Sequence, residues 1–180
     1  SIDYASAGMY KEAAELLSDY IERQKNPQQI YPLIYYYISF YCGKLGYTKM
    51  EQEYLYLASN ASSDYCFPHR IEDIFVLKNA IKCNPQDAKA LYYLGNLWYD
   101  KKQYNEAISC WESSRELDNT FATVHRNLSL AYYNKLSDSK GAMQEMKKAF
   151  ELNIKDSRVF MEFDQLKKKL NITPKERLEA

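Results

Sequence analysis

Four cysteines, two histidines and 24 carboxylates are the residues of this 180-residue chain best suited to chemistry. Zinc needs closely spaced thiolate or imidazole ligands, usually with a C-x-x-C pair among them. Cys42, Cys66, Cys83 and Cys110 form no such pair, and neither His69 nor His125 lies near one. Free, buried thiols in a reducing compartment are the expectation, with no metal and no cofactor. The carboxylates Glu12/Glu15, Glu51/Glu53 and Glu72-Asp73 have the spacing of solvated helix faces. The signatures G-x-S-x-G, H-E-x-x-H, the Walker loop and G-x-G-x-x-G are absent. Nothing here assembles a catalytic centre.

Charge narrows the partners further. Basic and acidic residues balance at 24 each. Residues 1–68 hold 5 Lys/Arg against 8 Asp/Glu, leaving 19 against 16 for the rest. A nucleic-acid partner needs a clustered basic face, so none is expected. Lys167-Lys168-Lys169 is a basic run suited to the last turn of a helix, where cations complement the dipole. No run of about 18 apolar residues exists to span a membrane. The N-terminus shows no basic segment followed by an apolar one, and a cytoplasmic location is the expectation.

The elements that must position these side chains emerge from self-comparison. Leu91-x2-Leu94-Gly95-x2-Trp98 is followed by Ala107-x3-Trp111-x2-Ser114 and closed by Glu116-Leu117-Asp118. The first half recurs 34 residues on as His125-x2-Leu128-Ser129-x2-Tyr132. The second half recurs 35 residues on as Ala142-x3-Met146-x2-Ala149, closed by Glu151-Leu152-Asn153. The one-residue difference is expected in a turn between Asn134 and Gly141. Apolar residues at i, i+3 and i+7 mark one helix face, and a small neighbour lets a second helix approach. Each helix pair leaves an apolar face that the next pair covers, so the pairs stack in series. His125 then packs between helices, and Trp98 and Trp111 are core candidates.

These residues resemble the tetratricopeptide repeat, whose pattern is aromatic-x2-Leu-Gly-x2-Tyr, then Ala, an aromatic and Pro. The resemblance implies an all-α, right-handed superhelix of antiparallel helix pairs, about nine complete helices with partial ones at the ends. Divergent pairs are expected over 1–65, an irregular junction helix over 66–87, and repeats over 88–121 and 122–156. A terminal or capping helix and the start of another fill 157–180. Departures are Asn119 in place of Pro, Asp164 in place of a small residue, and Glu51 likewise. Pro68 is placed as the first residue of a helix over 68–83. Thr173-Pro174-Lys175-Glu176 reads as a capped helix start, and the ends suggest a piece of a longer protein. Asp64-Tyr65-Cys66-Phe67-Pro68, Asn84-Pro85-x-Asp87-Ala88 and Tyr92–Lys101 further resemble a bacterial family whose repeats follow a β-sandwich similar to those of carbohydrate-active enzymes.

The resemblance also implies a groove lined by the first helix of each pair. One subgroup clamps a terminal carboxylate there, and Asn96, Asn127 and Arg158 match three of its five positions. Tyr92 stands where a Lys belongs and Glu162 where an Arg belongs, which predicts repulsion of a carboxylate. With Tyr99, these residues are the groove candidates. Tyrosine is the compositional oddity, at 18 residues with nine between Tyr31 and Tyr65. Tyr35, Tyr36, Tyr37 and Tyr41 lie on several faces of one helix, so some exposure is expected. Tyr35 and Tyr41 are therefore added as candidates for glycan contact. The function expected is a non-enzymatic scaffold binding a peptide, a protein or a neighbouring domain of its own chain. The alternative is an accessory module touching glycan.

Overall fold

Residue Tyr31 hands the chain to a thirteen-residue helix with no charged side chain before Lys44, and that helix organises the first half of the protein. The computed structural model describes residues 1–26 and 30–178, all of whose regular elements are helices. Two compact units result, divided between Lys101 and Lys102. The first contains α1 (Ile2–Ser6), α2 (Tyr10–Glu22), α3 (Pro32–Lys44), α4 (Thr48–Asn60), α5 (Ile71–Cys83) and α6 (Ala88–Asp100). The second contains α7 (Tyr104–Leu117), α8 (Ala122–Ala131), α9 (Ser139–Leu152), α10 (Ser157–Lys169) and α11 (Pro174–Leu178).

In the first unit α3 packs against α2, α4 and α5. A helix apolar all round belongs inside, and α3 is inside. Tyr35, Tyr36, Tyr37 and Tyr41 are 7, 1, 9 and 1 % exposed, which overturns the expectation that some would face solvent. The hydroxyls of Tyr36 and Tyr37 survive burial by bonding to carboxylates. Tyr36 donates to Asp87 Oδ2 at 2.8 Å, and Tyr37 donates to Asp73 Oδ1 at 2.6 Å. Asp87 also caps α6 by accepting the Lys89 and Ala90 amides, each at 3.0 Å. Asp73 accepts the His69 and Arg70 amides, each at 3.0 Å. That capture explains why α5 begins at Ile71 rather than at Pro68: the amides before it are held by a side chain from its own first turn.

Glu51 occupies a small-residue position because the facing helix supplies the space instead. A Cβ at Gly43 of α3 would lie 2.5 Å from Glu51 Oε1. The main chain of Glu51 accepts the Ser39 hydroxyl, and its carboxylate accepts the Cys83 thiol.

In the second unit α8 packs against α7 and α9, and α9 against α10. The repeat residues Ala107, Trp111, Ser114, Leu128, Ser129, Ala142, Met146 and Ala149 are all buried. Ser129 donates to the Ala142 carbonyl at 2.6 Å, a contact that only a small side chain permits. The interval expected to take the extra residue, Asn134 to Gly141, begins inside a widened end of the helix. α8 widens into a π-type turn over Tyr132–Leu136 and ends on left-handed Ser137. Asp164 serves α11 by accepting Arg177 at 3.0 Å, and it pairs with Lys168 of its own helix at 2.6 Å. Glu176 closes the cap on Thr173 as the sequence predicts.

Trp98 departs from its expected place in the core: it is half-buried, with the Lys78 ammonium 5.4 Å from its ring centroid. Urea unfolding should therefore separate the tryptophans, Trp111→Ala costing about 3–5 kcal/mol and Trp98→Ala distinctly less. Tyr36→Phe removes one bond from a buried carboxylate and should cost about 1–3 kcal/mol in the same measurement.

Candidate functional site

The α8 and α10 helices of the second unit bring two sequence candidates together through a third residue. Arg126 grips Glu162 with Nε to Oε2 at 2.6 Å and Nη2 to Oε1 at 2.5 Å. Its Nη1 donates to Asn127 Oδ1 at 3.3 Å. The Arg126–Glu162 side chains are only 17 and 21 % exposed, so this two-pronged pair is shielded from screening. Glu162 is thus neutralised, which corrects the reading of it as a free, repelling carboxylate. Arg158, one turn before Glu162, is exposed and turns to Asp156 at 3.5 Å. Next to the pair lies a shallow cleft of about 40 Å³ whose walls include Leu130, Tyr133, Asn134, Gln165 and Lys169. The Lys169 ammonium sits 5.2 Å from the Tyr133 centroid.

Arg126 and Glu162, a cation and a carboxylate 36 residues apart in a chain repeating every 34–35, lie one position from equivalence on first helices of successive repeats, close enough to meet. Tyr133 is half-buried and lines the cleft instead of packing wholly within the repeat. Gln165 and Lys169 continue the face of Glu162 at helical spacing.

The remaining candidates belong to the first unit. Tyr92 is 5 % exposed and packs on Tyr93, with Asn96 and Tyr99 half-buried on the same helix. Tyr35 and Tyr41 are buried, so they offer a glycan no open ring face on the surface. Cavities are found in this unit among the described residues. One, of about 320 Å³, is lined by Asp3, Tyr31, Tyr37, His69, Arg70 and Asp73 among others. Another is about 170 Å³ and adjoins Tyr10, Phe40, Tyr41 and Phe75.

The other titratable groups have structural partners. His125 is 2 % exposed, with Nδ1 at 2.5 Å from Glu145 Oε2 and Nε2 at 3.1 Å from the Asn119 carbonyl. Arg115 reaches the other Glu145 oxygen at 2.5 Å. Burial raises the Glu145 carboxyl, but hydrogen bonds and charges of His125 and Arg115 outweigh it and hold the group below its usual 4.5. Burial raises the Asp87 carboxyl, and the Ala90, Tyr36 and Lys89 bonds offset this only in part. Burial likewise pushes the Cys66 thiol up to about 11, which leaves it a protonated, unreactive group. Among the described residues no group of three or more His, Cys, Asp or Glu is placed to hold a metal, and no helix is long and apolar enough to cross a membrane.

Comparison with known proteins places this geometry. The family model described as TPR repeat matches residues 95–135. The crystal structure of MamA is similar with a TM-score of 0.56 and 14 % identity, covering 98 % of this chain and 87 % of that one. A MamA RS-1 double mutant gives 0.55 at 18 % identity, covering 98 and 84 %. The first TPR of Spaghetti (RPAP3), bound to the HSP90 peptide SRMEEVD, gives 0.52 at 12 % identity, covering 74 and 93 %. At these identities the likeness is one of fold.

Opposite pH responses should follow from the two shifted carboxyls. Glu145 stabilises the fold fully above its usual value, and that contribution is lost as pH falls through its depressed one. Asp87, raised, does the reverse: its contribution is greatest below its usual value of 3.8 and declines as pH rises through the raised one. Thermal midpoints followed by circular dichroism should show Glu145→Gln flattening the acid loss and Asp87→Asn steepening it.

Proposed function

We propose that this chain, which matches the TPR-repeat model over residues 95–135, is a non-enzymatic interaction scaffold and that the α8/α10 face of its second unit docks an extended peptide segment. The observation that supports this reading most is the cleft beside the Arg126–Glu162 pair. Its walls combine the apolar Leu130 and the Tyr133 ring with the carboxamides of Asn134 and Gln165, next to Asn127. Carboxamides both donate and accept, which suits the alternating N–H and C=O groups of an extended main chain. Apolar walls between them take side chains of the bound segment. Neutralising Glu162 by Arg126 leaves Lys169 as the charged group over the cleft, so a segment with a nearby acidic residue is favoured. The segment comes from another protein or from a neighbouring domain of the same polypeptide.

The second-unit face differs from the carboxylate clamp described for similar repeats, because the Arg position of that clamp holds Glu162. The preferred peptide should therefore bind internally, with no requirement for a free C-terminus. A peptide array probed with the purified chain tests both points. Binding should be retained when a hit is amidated at its C-terminus. Asn127→Ala with Gln165→Ala should weaken the hit about tenfold, the loss of one to two net hydrogen bonds, without changing the helical signal. An array without hits, or hits indifferent to the double substitution, removes the proposal.

A further inference from the structure

The cavity of about 170 Å³ in the first unit lies where α1 and the start of α2 meet α3 and α5. Five of its lining residues are aromatic: Tyr10, Tyr37, Phe40, Tyr41 and Phe75. Tyr41 is the hub, its ring centroid 6.1 Å from Tyr10, 5.8 Å from Tyr37 and 6.0 Å from Phe40. Phe75 stands at the rim, 63 % exposed, an arrangement that core packing does not require. A volume near 150 Å³ suffices to hold a guest the size of benzene.

What the wall withholds is as informative as what it offers. The Tyr37 hydroxyl donates to Asp73, and the Tyr41 hydroxyl is bonded to Ser1. These two rings are 9 and 1 % exposed and form the back of the cavity, while Tyr10 and Phe75 supply its accessible ring surface. Of the described lining residues only Glu72 is charged, and it is exposed at the first turn of α5. A sugar or a primary ammonium needs several hydrogen-bond partners at once, and this wall is poor in them. An ammonium whose hydrogens are replaced by alkyl groups needs none. It presents apolar methyl groups with a diffuse positive charge, which ring faces attract through their quadrupoles. Phe40 already attracts a cation, since the Lys44 ammonium lies 5.1 Å from its centroid. Lys44 is not among the lining residues, so the other four rings define the cage.

We propose that this cavity binds an alkylated ammonium group between the Tyr10 and Phe75 rings, backed by Tyr37 and Tyr41, with Glu72 as counter-charge. The proposal is independent of peptide docking on the α8/α10 face. The same chemistry is carried by a free quaternary ammonium compound and by a methylated lysine side chain.

Calorimetric titration of the chain with choline, with a trimethyl-lysine peptide and with 3,3-dimethylbutan-1-ol distinguishes the cases. The alcohol matches choline in shape and lacks its charge. Saturable binding of choline, the peptide or both, with the alcohol silent, is the expected result, and which of the two binds identifies the source. Glu72→Gln and Phe75→Ala, both at exposed positions, should each weaken binding about three- to tenfold and leave the helical signal intact. Binding of the alcohol as tight as that of choline, silence from both cations, or affinity unchanged by Glu72→Gln would overturn the proposal.

Discussion

Two carboxylates buried at helix starts, each hydrogen-bonded to a tyrosine of α3, govern the first unit. Asp73 and Asp87 are 2 and 3 % exposed, a placement that costs several kcal/mol for an unpartnered charge. Each is instead surrounded by two backbone amides and one phenol. The amides belong to helix N-termini, where donors are left over by the helix geometry itself. The phenols belong to a helix that is apolar on every side. Tyr36 and Asp87 are 51 residues apart in sequence, and Tyr37 and Asp73 are 36 apart. Adjacent residues of one helix thus set where two later helices begin.

The second unit solves the same problem with full charges. Glu145 is shared between His125 and Arg115, and Glu162 is gripped at both oxygens by Arg126. These contacts join α7 to α9, α8 to α9 and α8 to α10. Groups held in this way have their protons and lone pairs committed to the fold. The side chains that look most reactive in the sequence are, for that reason, the ones that hold the repeats in register.

What is left for recognition differs between the units. The α8/α10 face offers a shallow cleft with mixed amide and apolar walls, suited to a flat, extended guest. The first unit offers an aromatic pocket whose tyrosine hydroxyls are largely engaged elsewhere. That difference follows in part from α3, whose Tyr37 spends its polar end on the buried Asp73 and so backs the cavity with its ring.

Residue spacing was enough to reveal the helix pairs, because a close-packed helix interface demands a small residue at one fixed place and large ones around it. Gly95, Ala107, Ser129 and Ala142 announce that demand directly. The cap at Thr173 and the packing role of His125 were legible for similar local reasons. Burial of the four α3 tyrosines was not, since one helix's pattern cannot reveal how many neighbours surround it. Nor could spacing alone reveal that Gly43 makes room for Glu51, or that Arg126 neutralises Glu162. Those outcomes depend on side chains from distant segments meeting in three dimensions, where a buried polar group takes whichever partner the packing brings within reach.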